Sequence, residues 1–300
     1  MIRHFDEMKA KLEAGPTKRV AVAASDDAHT LEAVMQASKD GIIEPILLGG
    51  KKETEEILEK LGCASNPPRI DDIIDPQKCA EAAVRMAKDG EVDCIMKGRI
   101  DTSVMMRTML DGEKGIRKRE MLSGFGLFET RYYHKMFAIT DLSLNLYPTL
   151  EQKKTILENA LDVFYALGVQ RPKVAVIAAV EKANPKMPET LDAEALAKMA
   201  TTGELPGCEI AGPISVDLAL NPKSAVVKRY ISPVAGDADI LLAPNITAGN
   251  IAAKMIESAG GARSCGMIIG AKVPVIVLSR AAHADDKYMS IILSALIGAN

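Results

Sequence analysis

Short apolar runs alternate with amphipathic stretches along the whole chain. Seven of these runs are rich in Val, Ile, Leu and Ala and lack apolar–polar alternation, which is typical of strands buried on both faces of a parallel sheet. They lie at 19–24, 45–48, 93–96, 136–139, 173–180, 239–243 and 274–278. The pattern therefore predicts a parallel sheet whose strands are joined by helices.

The stretches between these runs carry signals for helix starts and helix ends. Asp75-Pro76 predicts an N-cap followed by proline at the first helical position, and Gly168 predicts the end of a helix over 150–167. A last helix is predicted over 285–297. The alternation of strands and helices predicts an α/β fold, and its right-handed crossovers give a doubly wound sheet. Ligands of such sheets bind beyond the carboxyl ends of the strands.

The length of the chain favours two lobes, because 300 residues exceed most single cores. The segment 145–149 precedes the long predicted helix and is the best candidate boundary. We expect a first α/β lobe of residues 1–145 plus 282–300, with the last helix returning to it. The second α/β lobe is then 146–281.

Composition narrows the class of protein. A net charge of −3 and an aromatic content of 4% without Trp argue against nucleic acid and against an anionic membrane surface as partners. The sequence has no apolar stretch long enough for a membrane span and no secretory pattern near its start, so we expect a cytoplasmic protein. The five cysteines are scattered and the four histidines lack ligand spacing, so we expect reduced thiols and no metal.

Two glycine-rich segments resemble phosphate-binding loops, but each lacks a residue that the motif requires. Gly124-Phe125-Gly126 is followed three positions later by Glu129, so the dinucleotide fingerprint is incomplete. We interpret residues 122–126 as a glycine-rich turn. The segment 266–272 lacks a Ser or Thr after its lysine, and we interpret it as a turn between two buried strands.

Three segments suit the binding of an anionic substrate. Residues 97–103, with Arg107 beyond them, follow a predicted strand and open a helix whose N–H groups would face a ligand; Arg107 could equally be a solvated helix arginine. Ser123 lies in the glycine-rich segment. Asp141 follows the strand at 136–139, where it could bind a ligand or cap the next element.

The C-terminal corner is the fourth candidate. Ser279-Arg280 ends the strand at 274–278, and Asp285 and Asp286 begin the last helix. The helix dipole favours carboxylates at a helix start. That explanation leaves the Ser-Arg pair without a role, so the corner is a candidate site.

An ordered series of residues resembles the phosphate acetyl/butyryltransferase family, and most closely its butyryl branch. The resemblance covers nearly the whole chain. Its most specific positions are Gly212-Pro213, Asp217, 232–236, Ala238-Asp239, Pro244, Gly249-Asn250, Ser279-Arg280 and Asp286.

The resemblance implies a cytoplasmic homodimer of two-lobed subunits with the active site in the cleft between the lobes. The implied reaction is acyl-CoA + phosphate ⇌ acyl phosphate + CoA, with coenzyme A as a substrate and no permanently bound cofactor or metal. By position, Asp286 would take the thiol proton, Ser279 would hydrogen-bond the reacting group, and Arg280 and Arg107 would hold phosphate. The remaining implied substrate-binding residues are Lys97, Thr102, Ser123, Asp141, Gly249 and Asn250.

Other functions stay open on the sequence alone. The acyl group could be acetyl instead of butyryl, since no residue can be assigned to the acyl pocket. A two-lobed dehydrogenase of the isocitrate/isopropylmalate type would share the architecture but would need a carboxylate cluster for a metal and a nicotinamide site. A non-catalytic small-molecule binder is the third alternative.

Overall fold

A computed structural model describes residues 2–12, 15–279 and 282–298. The chain forms two compact units. The N-terminal unit consists of Asp6–Glu120 and Cys265–Asn300, and the central unit consists of Met1–Phe5 and Met121–Ser264. The sequence prediction divided the chain at 145/146 and 281/282 instead, so residues 1–5, 121–145 and 265–281 are assigned differently in the two divisions. The predicted lobe limits stay a prediction.

The described residues form alternating helices and strands. In chain order these are α1 (Phe5–Leu12), β1 (Lys18–Ala23), α2 (Ala28–Lys39), β2 (Ile43–Gly49), α3 (Lys51–Lys60), β3 (Arg69–Asp72), α4 (Pro76–Lys88), β4 (Cys94–Lys97), α5 (Thr102–Leu110), β5 (Ser123–Glu129), β6 (Phe137–Thr140), α6 (Leu150–Ala166), β7 (Lys173–Ile177), α7 (Pro188–Thr202), β8 (Glu209–Ile214), α8 (Val216–Leu220), α9 (Pro222–Lys228), β9 (Ile240–Leu242), α10 (Ile246–Ser258), β10 (Arg263–Ile269), β11 (Val275–Ile276) and α11 (Ala284–Ile297).

The sheet of the N-terminal unit has the strand order β3-β2-β1-β4-β11-β10. All pairs are parallel except β10 with β11. The chain moves outward from β1 to β3 and then returns past β1 to β4, so right-handed crossovers put α2 and α3 on one face and α4 on the other. α11 packs against α2. The strand order reverses between β1 and β4, which is where doubly wound sheets bind ligands.

The sheet of the central unit has the order β5-β6-β9-β7-β8, with β5 antiparallel to β6 and the other pairs parallel. α6 and α7 pack together on one face of this sheet. The strand order reverses between β6 and β9. Aromatic side chains of β5 and β6 build the core, with the rings of Phe128 and Phe137 6.0 Å apart.

The seven strands predicted from apolar runs are confirmed, as β1, β2, β4, β6, β7, β9 and β11. The helix signals also hold. The Asp75 carboxylate accepts the N–H of Gln77 at the start of α4, and Gly168 has the left-handed φ of 88° just after α6. No helix in the described ranges is long and apolar enough to cross a membrane.

Two interpretations of glycine-rich segments are wrong. The turn predicted over 122–126 is strand β5, and most of the turn predicted over 266–272 is strand β10 followed by a bend at Gly270, φ 89°. In β5 the glycines leave room for neighbours instead of bending the chain. A Cβ on Gly124 would lie 2.0 Å from the hydroxyl oxygen of Ser143.

Candidate functional site

A cavity of about 680 Å³ lies at the carboxyl ends of β1, β4 and β11 in the N-terminal unit. These three strands run parallel, so their carboxyl ends meet at one edge of the sheet. Lys97 and Ser279, two of the residues that the sequence singled out, both line the cavity. The cavity therefore lies where the topology of the unit predicts a ligand site.

Close packing of β1 against β4 shapes the floor of this cavity. The N–H of Gly98 donates to the carbonyl of Ala23 at 2.8 Å, and the N–H of Arg99 donates to the carbonyl of Ala24 at 2.8 Å. A Cβ on Gly98 would lie 2.1 Å from the Ala24 oxygen, so only glycine allows this approach. Ala24 itself has a left-handed φ of 55°. The chain after both strands is thus held in one geometry.

Four helices begin at the cavity. Its lining includes Asp27 and Asp101, the N-caps of α2 and α5, together with Pro76 at the first position of α4 and Lys287 in the first turn of α11. The free N–H groups and the dipole of a helix N-terminus attract negative charge. A cavity that collects several such ends is suited to a phosphate-like anion.

Charged side chains on the lining add to this field. Lys97 is half-buried and its ammonium donates to the carbonyl of Gly98 at 3.3 Å. Arg99 is exposed and pairs with Asp26 at 3.6 Å. Lys287 is 5% exposed and has Asp27 as its charged neighbour at 3.8 Å. The lining thus combines three cations from two different parts of the chain.

The C-terminal corner is partly described. Ser279 is exposed on the cavity lining, and its carbonyl accepts the N–H of Ala282 at 3.0 Å. Arg280 lies outside the described residues. Asp286 is half-buried at the third position of α11, and its carboxylate accepts the N–H of His283 at 3.1 Å. The first turn of α11 is therefore capped by the residue that the sequence assigned as the base.

The same turn of α11 is anchored to α2 at a second point. The Tyr288 hydroxyl hydrogen-bonds Asp40 at the end of α2, and the Lys9 ammonium donates to the same carboxylate at 3.0 Å. These two hydrogen bonds lower the pKa of Asp40 below its ordinary value. The anchor fixes the position of the residues that precede Tyr288 on the helix.

Three described residues of the N-terminal unit that the sequence singled out lie outside the cavity lining: Asp286, Thr102 and Arg107. Thr102 and Arg107 are exposed on α5, at its first and sixth positions. Val104 of the same helix does line the cavity. Arg107 and Ser279 belong to the same compact unit.

A second group of predicted residues meets in the central unit around Asp141. This carboxylate is 2% exposed. Its Oδ1 accepts N–H groups of Gly124, Ser143 and Leu144 at 3.1, 2.8 and 3.1 Å. Its Oδ2 accepts the N–H and the side-chain amide of Asn145 at 3.0 and 2.6 Å. Burial raises the pKa of Asp141, and these hydrogen bonds oppose the rise. Asp141 thus organises the loop that follows β6.

The start of α10 packs against this loop. A Cβ on Gly249 would lie 2.3 Å from the Asp141 carbonyl oxygen, so glycine is required for the contact. The Asn250 amide donates to the Leu142 carbonyl at 3.1 Å. Asp141, Gly249 and Asn250 therefore come together between β6 and β9, where the strand order of the central unit reverses.

Ser123 lies in the interior of the central unit. It is fully buried at the start of β5, and its hydroxyl accepts the side-chain amide of Asn159 at 3.1 Å. The substrate-binding role predicted for Ser123 stays a prediction, as do the roles predicted for the other residues.

Sequence reasoning missed two residues of the cavity, Asp27 and Lys287. They are 260 positions apart and are joined by the packing of α11 on α2. The available signal for Asp27 was its place as a helix-capping residue shortly after an apolar run. Lys287 lies next to the predicted base, but nothing in the sequence marks it as buried. Within the described ranges, no group of His, Cys, Asp and Glu is arranged to hold a metal ion.

The chain is similar to known proteins in both sequence and fold. The sequence pattern of the family described as phosphate acetyl/butaryl transferase matches residues 70–295. A phosphate butyryltransferase of Clostridium acetobutylicum is 39% identical over 300 residues and covers both chains completely. A phosphate acetyltransferase of Thermotoga maritima is 38% identical over 97% of this chain and 99% of its own. The structure is similar, with a TM-score of 0.86 and 29% identity, to a branched-chain phosphotransacylase of Enterococcus faecalis, over 95% of this chain and 100% of that one.

Proposed function

Because the chain belongs to the phosphate acetyl/butaryl transferase family, we propose that it transfers a short-chain acyl group, butyryl, reversibly between coenzyme A and inorganic phosphate. The observation that carries the proposal is the cavity of the N-terminal unit. It combines Lys97, Ser279 and four helix N-termini, which together suit a phosphate dianion.

The chemistry requires a proton carrier and charge stabilisation. In the direction of acyl-CoA synthesis, the thiol loses its proton to a base and the sulfur attacks the carbonyl carbon of the acyl phosphate. The C–S bond forms, the bond between the carbonyl carbon and the bridging oxygen breaks, and phosphate leaves with that oxygen. A thiol with a pKa of about 8.5 is mostly protonated at neutral pH, so a base within hydrogen-bonding reach accelerates this step. In the reverse direction the same group returns the proton to the leaving thiolate.

We assign the proton transfer to Asp286 and the phosphate contacts to Arg280 and Arg107. Ser279 donates a hydrogen bond to the reacting acyl group, where negative charge develops on the carbonyl oxygen. Two guanidinium groups match a phosphate dianion because each can donate two parallel hydrogen bonds. Lys97 and Thr102 contact the substrate from the segment after β4. Ser123, Asp141, Gly249 and Asn250 complete the proposed substrate-binding set.

Both substrates are bound together before reaction in this proposal. Holding them in one ternary complex supplies part of the barrier reduction through the entropy lost on binding. Double-reciprocal plots of initial velocity against acyl-CoA concentration, measured at several phosphate concentrations, should then give intersecting lines. Parallel lines would indicate a covalent acyl-enzyme and would contradict the ternary complex.

The acyl group is tested by a rate comparison. Acetyl-, propionyl-, butyryl- and isobutyryl-CoA are each incubated with phosphate, and release of the CoA thiol is followed. We expect kcat/KM to be highest for butyryl-CoA, with a preference over acetyl-CoA of about 10-fold, since two methylenes are worth roughly 1–2 kcal/mol. A higher kcat/KM for acetyl-CoA would make the protein a phosphate acetyltransferase.

The proposal includes a homodimer that works in the cytoplasm. All five cysteines are free, which suits a reducing compartment. Light scattering coupled to gel filtration measures the mass of the assembly. A mass near twice the 32.1 kDa of the chain is expected, and a monomer would contradict the dimer.

A further inference from the structure

Lys287 is a buried cation on the lining of the cavity. Its side chain is 7% exposed, and it extends from the first turn of α11. Within the described residues, its charged neighbour is the Oδ2 of Asp27 at 3.8 Å, which is beyond hydrogen-bonding distance. An ammonium group has three N–H donors, and burying them without acceptors costs free energy.

The Asp27 carboxylate is engaged elsewhere. The same Oδ2 accepts a hydrogen bond from the hydroxyl of Thr30, in the first turn of α2, and Asp27 is the N-cap of that helix. Asp27 therefore offsets part of the charge of Lys287 without satisfying its donors.

Two other buried lysines show how a structural ion pair differs. Lys153 is 6% exposed at its side chain and pairs with Asp192 at 2.7 Å, and Lys135 pairs with Asp239 at 2.5 Å. Both ammonium groups donate hydrogen bonds to their carboxylates. Lys287 is buried to a similar extent, but its charged partner is more distant and its side chain lines a cavity.

We propose that the Lys287 ammonium binds a phosphoryl oxyanion of the substrate in this cavity. The inference rests on the proposed function, because that reaction brings phosphate, acyl phosphate and the phosphates of coenzyme A to the protein. The bound oxygen supplies the acceptor that Asp27 does not. The helix N-termini that meet at the cavity attract the same charge.

The test replaces Lys287 with Met in the full-length chain, which keeps the apolar stem and removes the charge. Thermal midpoints are measured against the concentration of inorganic phosphate, and KM is measured separately for phosphate and for CoA. Loss of a charge-assisted hydrogen bond should weaken the affected ligand about 10- to 100-fold. A weaker phosphate response identifies the ligand as phosphate or acyl phosphate. A higher KM for CoA alone identifies it as a phosphate of coenzyme A.

Lys153→Met is the matched control, since it removes an equally buried ammonium from the central unit. It should lower the thermal midpoint and leave KM for phosphate and for CoA within about 2-fold. Equal phosphate and CoA parameters in Lys287→Met and the wild type would overturn the inference.

Asp27→Asn tests the same inference through an expected increase in phosphate affinity. It keeps a good helix N-cap and removes the competing negative charge, so phosphate should bind about 2- to 5-fold more tightly. An unchanged phosphate affinity in Asp27→Asn would overturn the inference even if Lys287→Met cannot be purified. Phosphate binding by the wild type needs no turnover, so it separates a failure of this inference from a failure of the proposed reaction.

Discussion

Replacing Asp141 with Asn should destabilise the central unit strongly. The carboxylate accepts five hydrogen bonds, three at Oδ1 and two at Oδ2. An asparagine has one acceptor oxygen. In its better orientation it keeps the three bonds at the Oδ1 position and turns its NH₂ group toward the two donors of Asn145. Those two donors, which belong to the half-buried Asn145, then lose their acceptor.

The magnitude follows from this count. A buried polar group that loses its partner costs about 1–3 kcal/mol, so the two half-buried donors predict a loss of about 2–3 kcal/mol. Asp75→Asn is the matched control. The Asp75 carboxylate accepts the single N–H of Gln77 at 2.8 Å, and asparagine caps a helix equally well. Its effect should stay within about 0.5 kcal/mol of the wild type.

Urea unfolding at neutral pH, followed by circular dichroism, measures both variants against the wild type. The midpoint of Asp141→Asn should move to clearly lower urea, and that of Asp75→Asn should not. Equal midpoints for the two variants would refute the role of Asp141 as the acceptor that organises the loop after β6.

Four further predictions test separate features. Gly249→Ala should lower the free energy of unfolding by about 1–3 kcal/mol, because the new Cβ would clash with the Asp141 carbonyl oxygen, even though alanine has a helix propensity about 0.5–1 kcal/mol better than glycine. Gly112→Ala is the control, since the space around Gly112 is open. A Gly249→Ala variant that is more stable than the wild type would contradict the contact. Burial raises the pKa of Asp237, but hydrogen bonds from Lys173 and Lys135 outweigh it and hold the pKa well below 3.8. The contribution of Asp237 to the free energy of unfolding is therefore present above pH 4 and is lost as the pH falls further. Asp237→Asn should flatten the acid side of the stability–pH curve, and parallel curves for the variant and the wild type would contradict this. Asp286→Asn should reduce kcat about 100-fold or more with KM for CoA within about 3-fold, and a near-wild-type kcat removes Asp286 from the base role. Arg107→Ala should raise KM for phosphate about 10-fold, and an unchanged KM returns Arg107 to the solvated surface of α5.

The strands with continuous apolar runs could be predicted from the sequence, because burial on both faces leaves a local signature. β3 lacks that signature, since its residues RIDD are largely polar at the edge of the sheet. β5 and β10 contain glycines that suggested turns. The glycines of β5 are required by side chains that pack on the strand from the loop after β6, and such tertiary contacts leave no local pattern.

The candidate site was predictable only in part for a related reason. Lys97 and Ser279 each end an apolar run, so their place at the carboxyl edge of a sheet followed from the strand pattern. Asp141 followed from its place after an apolar run, Gly249 and Asn250 were found by resemblance, and the structure shows the contacts that join them. The pairing of Asp27 with Lys287 depends on how α11 packs on α2, which a single sequence does not reveal.

The proposed transfer of an acyl group from coenzyme A to phosphate can be observed through both of its products. The most direct measurement incubates the purified protein with butyryl-CoA and inorganic phosphate, and follows the free CoA thiol together with the phosphorus NMR signal of butyryl phosphate. We expect the two products to appear in equal amounts and only when phosphate is present. Thiol release without phosphate, or without butyryl phosphate, would contradict it.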